Sequence, residues 1–198
     1  MVAPVRHRAG VPFAANTNQA LLDKMYNLFL GPGGDRWLST EVKWLAVTHK
    51  SFDHGRRGFN DRMAFLGKRI VQLHATLAII NSPASSIQET PVATLNDAAE
   101  RTPFIHPATA GLEKLSTTKI DEILDKGRLA QLANQYGLTA VIRWKPKKAN
   151  NLVGSGIESV AIESLYAIVG AVALSKGGSV AATVVRERIL QPLGLVVG

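Results

Sequence analysis

Apolar residues recur along this chain at intervals of three and four, in runs separated by strong helix breakers. Leu21, Leu22, Met25, Leu28 and Phe29 predict a first helix, capped from among Asn16, Thr17 and Asn18 and stopped by Gly31-Pro32. A second begins near Ser39 and Thr40 and carries Val42, Trp44, Leu45 and Val47. A third, capped by Asn60, ends near Asn81-Ser82-Pro83. Its residues Leu66, Ile70, Leu73, Leu77 and Ile80 follow spacings of 4, 3, 4 and 3, which predicts that this stripe is the core face.

From about 81 to 116 the pattern weakens, because Pro83, Pro91, Pro103 and Pro107 break any long element. An irregular insertion is expected there, with room for a short helix over 94–101. Thr118 with Asp121 then opens a helix through Ile123, Leu124, Leu129, Leu132 and Ala133, for which Gly137 is the C-terminal stop. Residues 144–150 read as a basic connector. Ser155 and Glu158 have capping-box spacing ahead of the very apolar run 160–174, closed by Gly177-Gly178, and a last helix over 179–190 stops before Pro192. No alternating strand exceeds four residues and no internal repeat occurs, so the expected class is all-α. The expected organisation is a basic N-terminal extension over 1–16 and one domain over 17–198.

Composition narrows the chemistry. The chain has 198 residues and 46% hydrophobic content, enough for one domain with a sizeable core. It has no cysteine, which excludes disulfides, a thiol nucleophile and thiolate metal sites. Charged residues or glycine interrupt every apolar run before the roughly 20 residues a bilayer requires, so no membrane span is expected and the chain should be soluble. The histidines, at 7, 49, 54, 74 and 106, include no i, i+4 pair and no HExxH, and neither glycine-rich nucleotide-binding pattern is present. No metal and no cofactor is expected.

Charge adds a partner class. Lys and Arg number 23 against 15 Asp and Glu, a net charge of +8, which suits a polyanion. Residues 1–69 carry 11 basic and 5 acidic residues, 70–125 carry 3 and 7, and 126–198 carry 9 and 3. If the two basic segments meet in the fold, they form one phosphate-binding face. Its candidate contacts are Arg6 and Arg8 in the extension, Lys50, Arg56 and Arg57 ahead of the third helix, and Lys145, Lys147 and Lys148 in the connector. Trp144, beside them, either stacks on a base or packs inward. The acidic insertion should face protein or solvent. The extension, with no acid and much Ala and Pro, resembles part of an organellar presequence.

Two segments carry a more specific signal. Residues 46–52 read Ala-Val-Thr-His-Lys-Ser-Phe and residues 60–68 read Asn-Asp-Arg-Met-Ala-Phe-Leu-Gly-Lys. Residues 163–171 read Glu-Ser-Leu-Tyr-Ala-Ile-Val-Gly-Ala. Together, and in this order, they resemble the signature segments of the ribonuclease III family, and residues 115–138 resemble its intervening helix. The resemblance implies the helical endonuclease fold, in which four carboxylates on two helices hold divalent metal for hydrolysis of double-stranded RNA. The matching positions here are Ala64, Lys68, Glu163 and Tyr166, so one acid remains and a lysine opposes it. Asp61 matches a further acidic position beside the site.

Spacing gives the same arrangement independently. Asp61, Ala64 and Lys68 fall on one stripe at i, i+3 and i+7, and Glu163 and Tyr166 share a face, so both stripes can line a common cleft. With the metal gone, Glu163 is expected to pair with Lys68.

The resemblance further implies a catalytically inactive structural protein of the mitochondrial large ribosomal subunit, bound to rRNA and to other mitochondrial ribosomal proteins. It implies dimerisation through the signature helix, in which Phe65 matches the aromatic residue that enters the partner. A second ribonuclease III-like protein is the expected partner, in a heterodimer. The alternative is an active double-stranded RNA endonuclease, or one whose site a partner completes.

Overall fold

A computed structural model describes residues 15–82, 106–109, 112–115 and 117–195. Arg6, Arg8 and the short helix expected over 94–101 lie outside them. The described residues form α1 (Gln19–Leu30), α2 (Thr40–Ala46), α3 (Asp61–Asn81), α4 (Thr117–Ile123), α5 (Lys126–Gln135), α6 (Leu138–Val141), α7 (Leu152–Ser155), α8 (Ile157–Lys176) and α9 (Gly178–Val185). A π-helical turn, Arg186–Leu190, continues α9. Among these residues the extended pairing is confined to one parallel bridge, Thr48 to Arg143. The class is all-α.

The apolar sequence of α8 sets the architecture. From Val160 to Val172 nearly every side chain is buried, which an all-round apolar helix requires. It runs through the middle of the domain, with α3, α5 and α9 against it and α2 and α6 at its sides. The α3–α8 crossing is the closest: a Cβ on Gly67 would stand 1.8 Å from the Tyr166 carbonyl oxygen, and one on Gly170 would stand 2.2 Å from that of Met63. Backbone meets backbone there, and only glycine permits it.

That crossing corrects the expected core face of α3. The buried stripe is Ala64, Gly67, Val71, Ala75 and Ala78, and the larger stripe is turned outward, with Leu73 and Leu77 exposed and Leu66, Ile70 and Ile80 half-buried. Both stripes have helical periodicity; the small one wins because it lets two helix backbones touch. Both α3 and α8 are also long and apolar enough, by length and composition, to cross a bilayer. The expectation that every run is interrupted too soon therefore understates them; α8 spends its apolarity on the core of the domain.

Caps follow the sequence in part. Asn18 accepts from the N–H groups of Ala20 and Leu21, Ser39 accepts from that of Val42, and Gly31 ends α1 at φ 97°. Asn60 precedes α3 but does not cap it: its buried amide donates to the Ala46 carbonyl at 3.0 Å and to Ser164 Oγ at 3.4 Å. The helix expected over 118–136 is two helices, because Asp125 leaves the helical path and caps α5 by accepting from Gly127 and Arg128. Ser155 likewise ends α7 instead of starting α8, and its hydroxyl accepts from the Lys148 N–H at 2.9 Å, fastening the connector.

Candidate functional site

The first turns of α3, the α4–α5 junction and the outer side of α8 enclose an open cleft of about 670 Å³. Asp61, Ala64, Lys68, Glu163 and Tyr166 all line it, so the two stripes meet as their spacing requires. Lys50 and Phe65 also reach it. Lys126, Asp121, Ser159 and Gln72 complete its polar wall, and the sequence reading missed them. Lys126 enters because the Asp125 cap begins a new helix there, a break that hydrophobic periodicity does not register.

The expected Lys68–Glu163 ion pair does not form. The carboxylate faces His49 instead, with Nε2 3.3 Å from the shielded Oε2. Nδ1 accepts the Ser51 N–H at 3.1 Å, which leaves Nε2 as the ring nitrogen nearest Glu163, close to Oε2 but not in a formed hydrogen bond with it. The His49 contact holds the Glu163 carboxyl below the usual range against the opposing effect of burial, and Lys50 and Lys126 add to the lowering. Asp61 is paired with Lys50 at 3.6 Å. Burial pushes the Tyr166 hydroxyl up to about 12, so it keeps its proton. Ala64 is 8% exposed and packs into the core.

Beside the cleft lies a basic ridge. The Thr48–Arg143 bridge, with the Arg143 N–H donating to the Val47 carbonyl and the His49 N–H donating to that of Arg143, lays the connector along the segment that enters α3. The Lys145 N–H donates to Ser51 Oγ at 2.9 Å, and Lys145 Nζ stands 3.1 Å from His54 Nε2. Two of the sequence-predicted clusters, Lys50, Arg56, Arg57 and Lys145, Lys147, Lys148, are thereby brought onto one exposed surface, with His54 as an addition. Arg57 is paired with Asp53 and Lys50 with Asp61, so these two are partly neutralised. Trp144 is 3% exposed and packs with Ile142 and Val160, which removes it as a stacking platform.

The third feature is the outward face of α3. Phe65 is 66% exposed, with the Arg69 guanidinium 5.3 Å from its ring centroid, and Leu73 and Leu77 continue the apolar stripe. Arg62, Lys68 and Arg69 flank it, while the acid of that helix, Asp61, is engaged by Lys50.

Comparison with known proteins decides the family. The ribonuclease-III-like family pattern matches residues 39–193, which takes in the cleft and both of its helices. The chain belongs to that family. Two structures of the nuclease domain of ribonuclease III from Campylobacter jejuni share the fold. One has a TM-score of 0.57 at 19% identity, covering 85% of this chain and 96% of that one, and the other 0.55 at 20%, covering 92% and 100%. Among sequences, the large ribosomal subunit protein mL57 of Neurospora crassa is 47% identical over 179 residues, 90% of this chain. The chain spans 65% of that relative's length.

For a ribonuclease III-like domain, the donor set of the cleft does not fit a metal ion. Hard divalent cations take several oxygen ligands, mostly carboxylate. Ala64 offers no oxygen, Tyr166 offers a protonated hydroxyl, and Lys68 is a cation. Glu163 faces His49, and among the described residues no three His, Asp or Glu side chains converge on one point.

Proposed function

We propose that this ribonuclease III-like protein is a structural component of the mitochondrial large ribosomal subunit that binds rRNA and cleaves nothing. The observation that carries this reading is the 47% identity to a large ribosomal subunit protein over 90% of the chain. The acid-poor, basic extension supports the compartment. The chemistry of the cleft supports the loss of catalysis, since two-metal phosphoryl chemistry needs several converging carboxylates and three of the four matching positions hold Ala64, Lys68 and Tyr166. The ridge supports RNA binding through phosphates: Arg56, Lys145, Lys147 and Lys148 are exposed and have no ion pair among the described residues. Arg6 and Arg8 extend the same proposal into the N-terminal extension.

The outward face of α3, centred on Phe65, is the proposed docking face for a ribosomal protein partner. A second copy of this chain would bring Arg62, Lys68 and Arg69 against their own equivalents, because a two-fold interface sets the same patch on both sides. A different ribonuclease III-like protein, with acids around its facing helix, avoids that repulsion. The test is sedimentation of the tagged full chain in a mitochondrial extract, with rRNA probed across the gradient. Co-migration with large subunits is expected; a chain confined to the ribosome-free fractions overturns the reading.

A further inference from the structure

The side chain of Arg143 is engaged in a way that neither the cleft nor the ridge requires. Its backbone makes the bridge to Thr48, which any residue could make. Its guanidinium is half-buried, with Cζ 3.5 Å from the centroid of the Trp44 ring and Nε donating to the Asn16 carbonyl at 3.0 Å. Among the described residues no carboxylate pairs with it. Burial and the neighbouring Arg57 both disfavour its charge and hold its pKa below the usual arginine value. A cation kept there against both effects is placed for the partners it does have, an aromatic face and a main-chain oxygen. Both contacts lead to the start of α1. Trp44 donates from Nε1 to Gln19 Oε1 at 2.7 Å, in the first turn of that helix. Asn16 lies two residues before the Asn18 cap, and its Oδ1 accepts the Asn18 N–H at 2.8 Å. Asn16 is thus held by its side chain to the cap and by its carbonyl to a residue 127 positions further on.

We propose that Arg143 is a positioning residue, which holds the departure point of the N-terminal extension against the basic ridge so that Arg6 and Arg8 meet RNA together with Lys145, Lys147 and Lys148. The inference rests on the proposed RNA-binding role. The segment that carries the ridge lysines starts at Arg143 itself: Lys145, whose N–H is fastened to Ser51 Oγ at 2.9 Å, follows two residues on. The extension departs from Asn16, which Arg143 holds. Counted along the chain, Arg8 can reach at most about 27 Å from Asn16, and Lys148 at most about 17 Å from Arg143. Two basic segments remote in sequence therefore radiate from one guanidinium. Without that contact the first fixed point of the chain is the Asn18 cap, and the extension gains freedom in direction that it must give up again on binding. A guanidinium suits the task, because it can stack on a ring and donate in its own plane at once, which a lysine ammonium cannot.

The experiment uses the full chain and a labelled RNA duplex, in a double-mutant cycle of Arg143→Met against Arg6→Gln with Arg8→Gln. Methionine keeps apolar cover over Trp44 and removes both donor and charge. Each side of the cycle alone is expected to lower RNA affinity several-fold, and the combined variant to be no weaker than the extension variant, because an extension without charge leaves nothing to position. The coupling factor should be at least about two. A residue that only supports the fold, or that touches phosphate itself, gives losses that multiply; that result overturns the proposal, as does an affinity that Arg143→Met leaves unchanged. A second measurement needs no RNA. The chain has no cysteine, so spin labels at Arg8→Cys and Lys148→Cys report one distance distribution. Arg143→Met should broaden and lengthen it, and an unchanged distribution overturns the anchor. Arg143→Lys, which keeps the charge but not the planar group, takes over both measurements if melting curves show that Arg143→Met does not fold. If the ridge triple Lys145→Gln, Lys147→Gln, Lys148→Gln weakens RNA binding while the cycle shows no coupling, the RNA-binding reading stands and the positioning role falls. If the wild type binds no RNA, that reading falls, and the distance distribution alone decides whether Arg143 holds the extension.

Discussion

Gly67→Ala tests the packing of the domain at its tightest point. The added carbon would stand 1.8 Å from the Tyr166 carbonyl oxygen and 2.8 Å from the Gly170 nitrogen. Ordinary contact lies near 3.5 Å, so α3 and α8 must part by roughly 1.5 Å where they cross. Because the opposing atoms are backbone, no rotamer change relieves the clash, and the contacts of Ala64, Val71 and Ala75 with α8 loosen with it. Overpacking a core costs about 1–3 kcal/mol where side chains can yield and more where they cannot. The helix preference of alanine over glycine returns about 1 kcal/mol. The net destabilisation should be about 2–3 kcal/mol, a fall in Tm of roughly 5–10 °C for a domain of this size. Urea unfolding followed by circular dichroism, with thermal scans, measures both. Gly178→Ala is the control: nothing lies within 4 Å of its added carbon, so stability should hold or rise by up to ~1 kcal/mol. A Gly67→Ala protein that melts within about 2 °C of wild type, no more than ~1 kcal/mol would produce, would show that the two backbones do not touch as described.

Purified protein should not cleave double-stranded RNA with Mg²⁺ present, as read on a denaturing gel; cleavage that Glu163→Gln abolishes would reinstate the nuclease. Phe65→Ala should leave the melting temperature nearly unchanged, since the ring is 66% exposed, but should reduce recovery of the partner in co-purification. Equal recovery would remove Phe65 from the interface. The depressed Glu163 carboxyl contributes stability that is present above the ordinary glutamate range and is lost as pH falls through its lowered value in the folded protein. Glu163→Gln should therefore flatten the acid limb of a stability-against-pH curve below about pH 5, and an unchanged limb would contradict the His49 contact.

Much of the fold was legible because it rests on local chemistry. Asn18, Ser39 and the Gly31-Pro32 stop act within one turn of themselves, and the all-round apolarity of α8 demands a central position wherever its neighbours lie. The errors share a different cause. Two stripes of α3 have the same period, and the choice between them belongs to the partner helix, which periodicity along one chain does not contain. The pairing of Glu163 failed for the same reason: Lys68 shares the cleft, but His49 reaches the carboxylate because the Thr48–Arg143 bridge fixes the segment that carries it. The composition of the cleft was legible at positions 61, 64, 68, 163 and 166, which helix spacing sets. Lys126 and Asp121 come from a junction made by a single capping aspartate, a feature of long-range placement with only a one-residue trace in the sequence.

The segment between α2 and α3 contains Asp53 at φ 48° and His54 at φ 53°, two successive non-glycine residues in left-handed backbone. Each such residue costs on the order of 1 kcal/mol or more, so the segment keeps this shape because the surrounding structure imposes it. A floppy basic loop would surrender its freedom on meeting a polyanion and bind more weakly for each charge presented, whereas a loop already fixed by folding has little left to lose. Replacing both residues with glycine would relieve the strain and move that loss of entropy from folding to binding.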